Sequence, residues 1–162
     1  MKRNERREIE VIARGACVVG GRLLLCHSKG ARNDFLPGGH VEFGEAARDA
    51  LVREVREELG RSARAGRFLG SVEHRFEASD GPHSEVNLVF ELRIPGLKAG
   101  ARPMSAEEKI AFRWMPLGAL RRSRLEPSPL RRVLPAWRRA AGWASTCEAP
   151  ARGRRRGASG RR

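Results

Sequence analysis

Three glutamates, Glu54, Glu57 and Glu58, lie within five consecutive positions of the segment LPGGHVEFGEAARDALVREVREELGR, which spans residues 36–61. Like charges at helical spacing repel one another, so this cluster needs a compensating partner. Clustered carboxylates are the ligands that Mg²⁺ and Mn²⁺ prefer, and Mg²⁺ sites usually include waters and substrate phosphates. The spacing therefore indicates a divalent cation site. A solvated acidic face held by Glu–Arg pairs is the alternative.

The hydrophobic spacing predicts a helix over residues 45–59, which would carry this cluster. Its apolar stripe is formed by Leu51, Val55 and Leu59. On a helical wheel Glu58 falls about 20° from Leu51, Glu54 about 60° and Glu57 about 120°, all on one side. Glu58 thus lies inside the apolar stripe, where an unpaired carboxylate is costly.

One local cation is available to these carboxylates. Arg53 precedes Glu57 by four residues, so the two can form an ion pair. Glu45 is expected in the first helical turn, where an acid favours the helix dipole. The glycine-rich turn before the helix could bring a backbone carbonyl to the same ion.

The order of these residues resembles the Nudix box, G-x5-E-x7-R-E-U-x-E-E-x-G-U, in which U is aliphatic. Gly39, Glu45 and the run from Arg53 to Gly60 match every fixed position. The one departure is Arg61, which stands at the last aliphatic position and concerns local packing more than chemistry. The resemblance covers roughly residues 8–120.

The resemblance implies a hydrolase that splits a nucleoside diphosphate linked to another moiety, by water attack on phosphorus with Mg²⁺ or Mn²⁺. Glu57 and Glu58 would be the principal metal ligands, and Gly39 would offer its backbone carbonyl. Glu54 would be a further ligand or the base for the attacking water. Arg53 would orient Glu57 and count among the catalytic residues.

Further candidates lie outside the box. The family often uses another glutamate before a late strand, and "SAEEKIAFRW" supplies Glu107 and Glu108, of which Glu108 is the preferred candidate; ordinary loop acids are the alternative. Lys29 and Arg32 could contact the phosphates of a bound nucleotide, or they could be solvated loop charges. Family members that resemble ADP-ribose pyrophosphatases have a proline about fifteen residues after Gly60, where this chain has Arg75 and Phe76. Members that act on dinucleoside polyphosphates favour a tyrosine slightly later, and this chain has no tyrosine.

Two histidines, His74 and His83, flank the strand–turn–strand segment that often lines a Nudix pocket. Surface histidines are the alternative.

Because these subfamily signatures are missing, we expect by elimination a nucleoside 5′-tri- or diphosphate as the substrate. The alternatives are a catalytically silent Nudix-fold nucleotide sensor and an RNA 5′-pyrophosphohydrolase.

The remaining patterns predict an α+β fold, and the resemblance makes it a Nudix-type α/β/α sandwich with a mixed β-sheet. "VIARGACVV" and "RLLLCHS" are expected to form a hairpin through Gly20–Gly21. Three later strands are predicted in "GRFLGSVEHRFE", "HSEVNLVFELRI" and "KIAFRWMPL". A short helix is expected at "PLGALRRS", and a last helix, broken or kinked at Pro135, is expected in "SPLRRVLPAWRRAAGW".

The formal net charge of +14 is unevenly distributed. Residues 1–120 contain 20 Lys and Arg against 17 Asp and Glu, whereas residues 121–162 contain 13 Arg against 2 Glu. We therefore expect one Nudix domain over residues 1–142, with its core at about 8–120 plus a C-terminal helix. Residues 143–162 are predicted to be an arginine-rich disordered tail, either solvated or bound to nucleic acid.

The three cysteines, Cys17, Cys26 and Cys147, are far apart in the sequence. Two of them lie in apolar strand-like runs, which indicates core thiols in a reducing compartment rather than a disulfide or metal site. The charged N-terminus has no apolar signal region, and no apolar run reaches the length of a membrane span. We therefore expect a cytoplasmic protein that binds a small nucleotide.

Overall fold

The computed structural model describes residues 8–147 of the chain. This part contains eight strands, two α-helices and one 3₁₀ helix. The strands are β1 (Ile9–Ala16), β2 (Val18–Val19), β3 (Arg22–Ser28), β4 (Gly38–His40), β5 (Arg64–Ala78), β6 (Gly81–Arg93), β7 (Ile110–Pro116) and β8 (Gly142–Ser145). The α-helices are α1 (Ala47–Leu59) and α2 (Leu130–Trp137), and the 3₁₀ helix is Leu117–Arg122.

The strands form two sheets. The larger one has the order β4-β1-β6-β5-β8, and the smaller one has the order β2-β3-β7. In the larger sheet β1 runs parallel to β6 and β8 runs parallel to β5, while the other two pairings are antiparallel. This sheet is therefore mixed, as predicted.

The two α-helices cover opposite faces of the larger sheet. Phe90 of β6 packs in the core cluster that contains the apolar residues of α1. Its neighbour Val89 packs in a second cluster with Leu130, Leu134 and Trp137 of α2. Because successive strand residues point to opposite faces, the sheet lies between the helices. The predicted α/β/α arrangement is confirmed.

Helix α1 owes its position to the apolar stripe seen in the sequence. Leu51 and Val55 are fully buried and Leu59 is nearly so. The helix begins at Ala47, so Glu45 precedes it rather than lying in its first turn. It ends at Leu59, and the next residue, Gly60, has a left-handed φ of 62° and donates its N–H to the Arg56 carbonyl. Glycine adopts this C-terminal conformation without a Cβ penalty.

The first predicted hairpin is wrong in its extent. The chain divides at Cys17, so that β1 joins the larger sheet and, of the predicted first strand, only Val18–Val19 pairs with β3. Gly20 and Gly21 form the expected turn. The local apolar pattern gives no signal for this division, because both strands on either side of Cys17 are apolar.

The C-terminal predictions also need correction. The expected break at Pro135 is absent from α2, which continues to Trp137 while Leu134 and Trp137 bury against the sheet. Gly142–Ser145 then adds β8 to the edge of the larger sheet. Ordered structure therefore continues past the predicted boundary at residue 142. The remainder of the predicted tail, residues 148–162, lies outside the described residues.

The cysteines agree with the expectation of core thiols. Cys17 and Cys26 are buried free thiols, and Cys147 is an exposed one. Burial raises the pKa of the Cys17 thiol to about 11. Within residues 8–147, no helix is sufficiently long and apolar to cross a membrane.

Candidate active site

Glu58 is the carboxylate most withdrawn from water in the predicted cluster. The residue is 4% exposed, as its place in the apolar stripe of α1 predicts. The Gly38 N–H donates to its Oε2 at 3.3 Å. Burial raises the pKa of Glu58 to about 7, while the hydrogen bond from Gly38 and the charge of Arg14 lower it. The carboxyl group is thus poised between its neutral and ionised forms near pH 7.

Arg53 binds three carboxylates rather than the one expected. Its Nε and Nη2 donate to the two oxygens of Glu45 at 2.9 and 3.0 Å, which forms a bidentate pair. Its Nη1 donates to Glu54 at 2.9 Å and to Glu57 at 3.4 Å. Its Nη2 also donates to the His40 carbonyl at 3.1 Å. Arg53 therefore links α1 to the loop that precedes it.

These ion pairs alter the ionisation of the groups involved. The hydrogen bond from Arg53 lowers the pKa of Glu45, and the Glu45 and Glu54 carboxylates raise the pKa of Arg53. The expected i,i+4 pair with Glu57 is present but is the longest of the contacts. Glu54, for which the sequence offered no partner, has one in Arg53.

Gly39 lies directly against the Glu54 side chain. A Cβ at this position would be within 2.5–2.6 Å of both carboxylate oxygens of Glu54, so only glycine fits without displacing them. Gly39 is in β4, which pairs antiparallel with β1 at Ala13. The sheet therefore places the Gly38–Gly39 backbone beside both Glu54 and Glu58.

Arg14 of β1 is a site residue that the sequence predictions missed. Its Nη1 donates to the carbonyls of Leu36 and Gly38 at 3.1 and 2.8 Å, so it holds the glycine-rich turn in place. Its Nε donates to Oδ1 of the fully buried Asn87 at 3.4 Å. Asn87 Nδ2 in turn donates to Glu85 at 3.1 Å.

A signal for these residues exists in the sequence. Arg14 and Asn87 are single polar residues inside apolar strand patterns, where an unpaired polar group is costly. They are 73 positions apart, and only the parallel pairing of β1 with β6 brings them together.

The loop before β7 docks onto the end of α1. Ser105 Oγ and the Ala106 N–H both donate to the Glu58 carbonyl, at 3.1 and 2.7 Å. Glu107 follows, and its charge is one of those that raise the pKa of Glu58. Glu108, the preferred candidate, is exposed and lines the same surface cavity as Glu107. Glu107, rather than the preferred Glu108, is therefore the loop glutamate that affects the ionisation of Glu58.

The two predicted phosphate contacts do not lie together. Lys29 lines the cavity that contains Glu107 and Glu108. Arg32 lines a different cavity, formed with Arg113 and Arg124. Arg61, the departure from the motif, is exposed, so its charge is compatible with its position.

The histidines lie on the β5–β6 hairpin. His83 binds Glu10 and Asp80 at 2.8 and 2.9 Å, and these hydrogen bonds raise its pKa to about 9. Glu10 also contacts His40 at 2.6 Å, and both histidines lower the pKa of Glu10. Burial lowers the pKa of His74, whose ring stacks on Phe76 at 5.0 Å between ring centroids.

The donor set fits a hard divalent cation in its chemistry. Glu54, Glu57 and Glu58 would supply carboxylate oxygens, and the backbone carbonyl of Gly39 would be a further oxygen ligand. Within the described residues, however, no three His, Cys, Asp or Glu side chains already converge as a metal site. The three carboxylates point to different partners, since Arg53 binds Glu54 and Glu57 while Glu58 accepts from the Gly38 N–H.

Comparisons with known proteins agree with this geometry. The sequence profile of the NUDIX domain matches residues 10–137. The structure is similar to that of a MutT NUDIX hydrolase from Burkholderia pseudomallei, with 31% identity and a TM-score of 0.57, covering 68% of this chain and 85% of that one. It is also similar to the E. coli ORF135 protein, with 26% identity and a TM-score of 0.60, covering 82% and 93% of the two chains.

One curated relative has a named substrate. An ADP-ribose pyrophosphatase from Methanocaldococcus jannaschii is 38% identical over 74 residues, which is 44% of this chain. The chain spans 43% of the length of that relative.

Proposed function

Because this chain belongs to the Nudix hydrolase family, we propose that it hydrolyses a nucleoside 5′-tri- or diphosphate by water attack on phosphorus. The observation that carries the proposal is the arrangement around Gly39, where Glu54 and Glu58 contact the glycine-rich turn. Arg53 holds the Glu54 carboxylate there, and Arg14 holds the turn through the Gly38 carbonyl. A nucleoside triphosphate would give the monophosphate and pyrophosphate, with the water oxygen retained on one product.

Glu57, Glu58 and the Gly39 carbonyl would hold Mg²⁺ or Mn²⁺, with Glu54 as a further ligand or as the base. Such ions neutralise phosphate charge and lower the pKa of water. Glu54 is suited to the role of base because its carboxylate packs against Gly39 of the glycine-rich turn. Arg53 is a positioning residue, since its contacts fix Glu45, Glu54 and Glu57 relative to the loop.

Arg14 is a second positioning residue, which contacts the glycine-rich turn from β1. Arg14 holds the carbonyls of Leu36 and Gly38, so the turn keeps its shape when a charged group approaches. A preorganised turn lowers the reorganisation needed at the moment of reaction.

The test is a substrate panel of nucleoside di- and triphosphates with and without Mg²⁺, in which monophosphate, phosphate and pyrophosphate are measured. We expect metal-dependent turnover by the wild type and a loss of at least about a hundredfold in Glu57→Gln. Glu77→Gln is the matched control, because Glu77 is exposed and lies outside α1. Nucleotide binding without turnover by the wild type would instead identify a sensor.

ADP-ribose is a second candidate substrate. It is favoured by the ADP-ribose pyrophosphatase that is 38% identical over 74 residues. The same panel includes it, with AMP and ribose 5-phosphate as the products to measure. RNA with a 5′-triphosphate is the third, and there a steep salt dependence that vanishes on deleting residues 150–162 would indicate a contribution of the arginine-rich segment.

A further inference from the structure

A basic surface cavity lies on the side of β3 that faces away from α1. Its volume is about 510 Å³, within the size range of small-molecule sites. Its charged and polar lining includes His27, Arg32, Asp34, Arg113, Arg122 and Arg124. Cys26 of β3 packs in the core cluster of α1, so His27, the next residue, points to the opposite face.

The cavity carries an excess of positive charge. Four arginines face one carboxylate, Asp34, which is 3% exposed and is bound by Arg113 Nε at 2.9 Å. Arg32, Arg122 and Arg124 have no ion pair with any carboxylate of the described part of the chain. Guanidinium groups without a carboxylate partner are well suited to bidentate binding of phosphate.

His27 also lines the cavity, and its side chain is partly buried. Its Nδ1 is buried and has no hydrogen-bond partner among residues 8–147. A buried polar atom left in this state costs free energy, but a ligand in the cavity does not reach an atom that is closed to solvent. His27 therefore reports on the cavity as a lining residue and is not counted among the phosphate ligands.

The framework of the cavity is rigid. The Asp34 N–H donates to the Arg124 carbonyl at 3.0 Å, and the Glu126 N–H donates to the Asp34 carbonyl at 2.8 Å. Arg113 of β7 donates from its Nε to the Asp34 carboxylate, which holds its side chain at the cavity. Asp34 thus holds the Arg124 backbone through its N–H and the Arg113 guanidinium through its carboxylate.

We propose that this cavity is an anion site, separate from the carboxylates of α1, that binds an oligophosphate, meaning a short chain of phosphate groups. The lining contains no Phe or Trp on which a nucleic-acid base could stack. Sites for single-stranded nucleic acid combine basic groups with such aromatic platforms, so the lining favours the phosphate chain alone.

The test is a titration of the full chain with tripolyphosphate in EDTA, which removes the metal that the α1 carboxylates need for phosphate binding. Affinity is measured by calorimetry for the wild type, Arg122→Gln/Arg124→Gln and Arg121→Gln/Arg139→Gln. The last variant is matched in charge, and its two exposed arginines lie outside the cavity lining. We expect the affinity for tripolyphosphate to fall at least about tenfold in Arg122→Gln/Arg124→Gln and to keep its wild-type value in Arg121→Gln/Arg139→Gln.

A second readout is specific to the cavity. The imidazole ¹⁵N signals of His27 should shift on titration with tripolyphosphate, and in Arg122→Gln/Arg124→Gln the midpoint of this shift should move to a concentration at least about tenfold higher. Equal weakening in both variants, or no shift at His27, would mean that the chain attracts phosphate only through its overall charge, and the proposal would fall. If an oligothymidylate binds here while tripolyphosphate does not, the oligophosphate assignment is wrong.

Discussion

Replacing Glu58 by glutamine is expected to stabilise the fold at pH 8 while having little effect at acidic pH. Burial raises the pKa of this carboxyl group from 4.5 to about 7. Each pKa unit corresponds to about 1.36 kcal/mol, so ionising Glu58 in the folded chain costs about 3 kcal/mol relative to the unfolded chain. Glutamine is neutral and similar in size, and its Oε1 can still accept from the Gly38 N–H.

The direction of the pH dependence follows from the raised pKa. Between pH 4.5 and about 7 the folded chain retains a proton on Glu58 that the unfolded chain has released. The free energy of unfolding of the wild type therefore falls as the pH rises through this window, and the full cost is present above it. Glu58→Gln lacks the ionisation, so its contribution does not change with pH.

The assay is urea unfolding at several pH values between 5 and 8, in EDTA, for the wild type, Glu58→Gln and Glu57→Gln. The free energy of unfolding of Glu58→Gln should exceed that of the wild type by less than about 1 kcal/mol at pH 5 and by about 3 kcal/mol at pH 8. Glu57 is the matched control on the same helix, because its side chain is 50% exposed and stays solvated in both states. Other titrating groups cancel in the difference.

A difference that does not vary with pH would refute the reasoning, since it would mean that Glu58 is solvated in the folded chain. A metal arm adds a second check. Excess Mg²⁺ should raise the stability of the wild type at pH 8 more than that of Glu58→Gln, because a ligand that binds the folded state stabilises it. Equal effects of Mg²⁺ on both proteins would argue against Glu58 as a ligand.

Three further outcomes are expected. Gly39→Ala should lower turnover at least about tenfold, because its Cβ would meet the Glu54 carboxylate within 2.6 Å; unchanged steady-state kinetics would show that Glu54 can move freely. Leu51→Ala should lower the free energy of unfolding by about 2–5 kcal/mol, since the side chain is fully buried under the sheet; a loss below about 1 kcal/mol in urea would contradict that packing. His83 has a pKa raised to about 9, so its bonds to Glu10 and Asp80 stabilise the fold below about pH 6.5, and this stabilisation is lost as the pH rises through about 9. His83→Gln should flatten the stability profile in that window, and an unaltered profile in thermal unfolding would refute the assignment.

The acidic helix could be predicted from the sequence because its determinants are local. The 3.6-residue spacing fixes which side of α1 faces the core, and it places Glu58 there before any tertiary contact is known. Gly60 ends the helix for a reason that is equally local, since the left-handed conformation favours glycine. The spacing from Gly39 to Gly60 likewise identified the family.

Other features required the tertiary structure. The sequence predictions missed the division of the first strand at Cys17 and the position of Arg32 in a separate cavity. They predicted only part of the ion-pair network of Arg53, which also includes Glu45 and Glu54. Each depends on how the loops and the two sheets are arranged around α1. Sequence spacing within a helix carries no information on that arrangement.

The pairing of Arg14 with Asn87 shows the difference most directly. The two residues are 73 positions apart, and each alone is a polar residue in an apolar strand. The sequence determined that both would need a partner, because an unpaired buried polar group costs free energy. Only the register of β1 against β6 decided that they are partners of each other. That register depends on the packing of the sheet between α1 and α2, to which residues throughout the chain contribute.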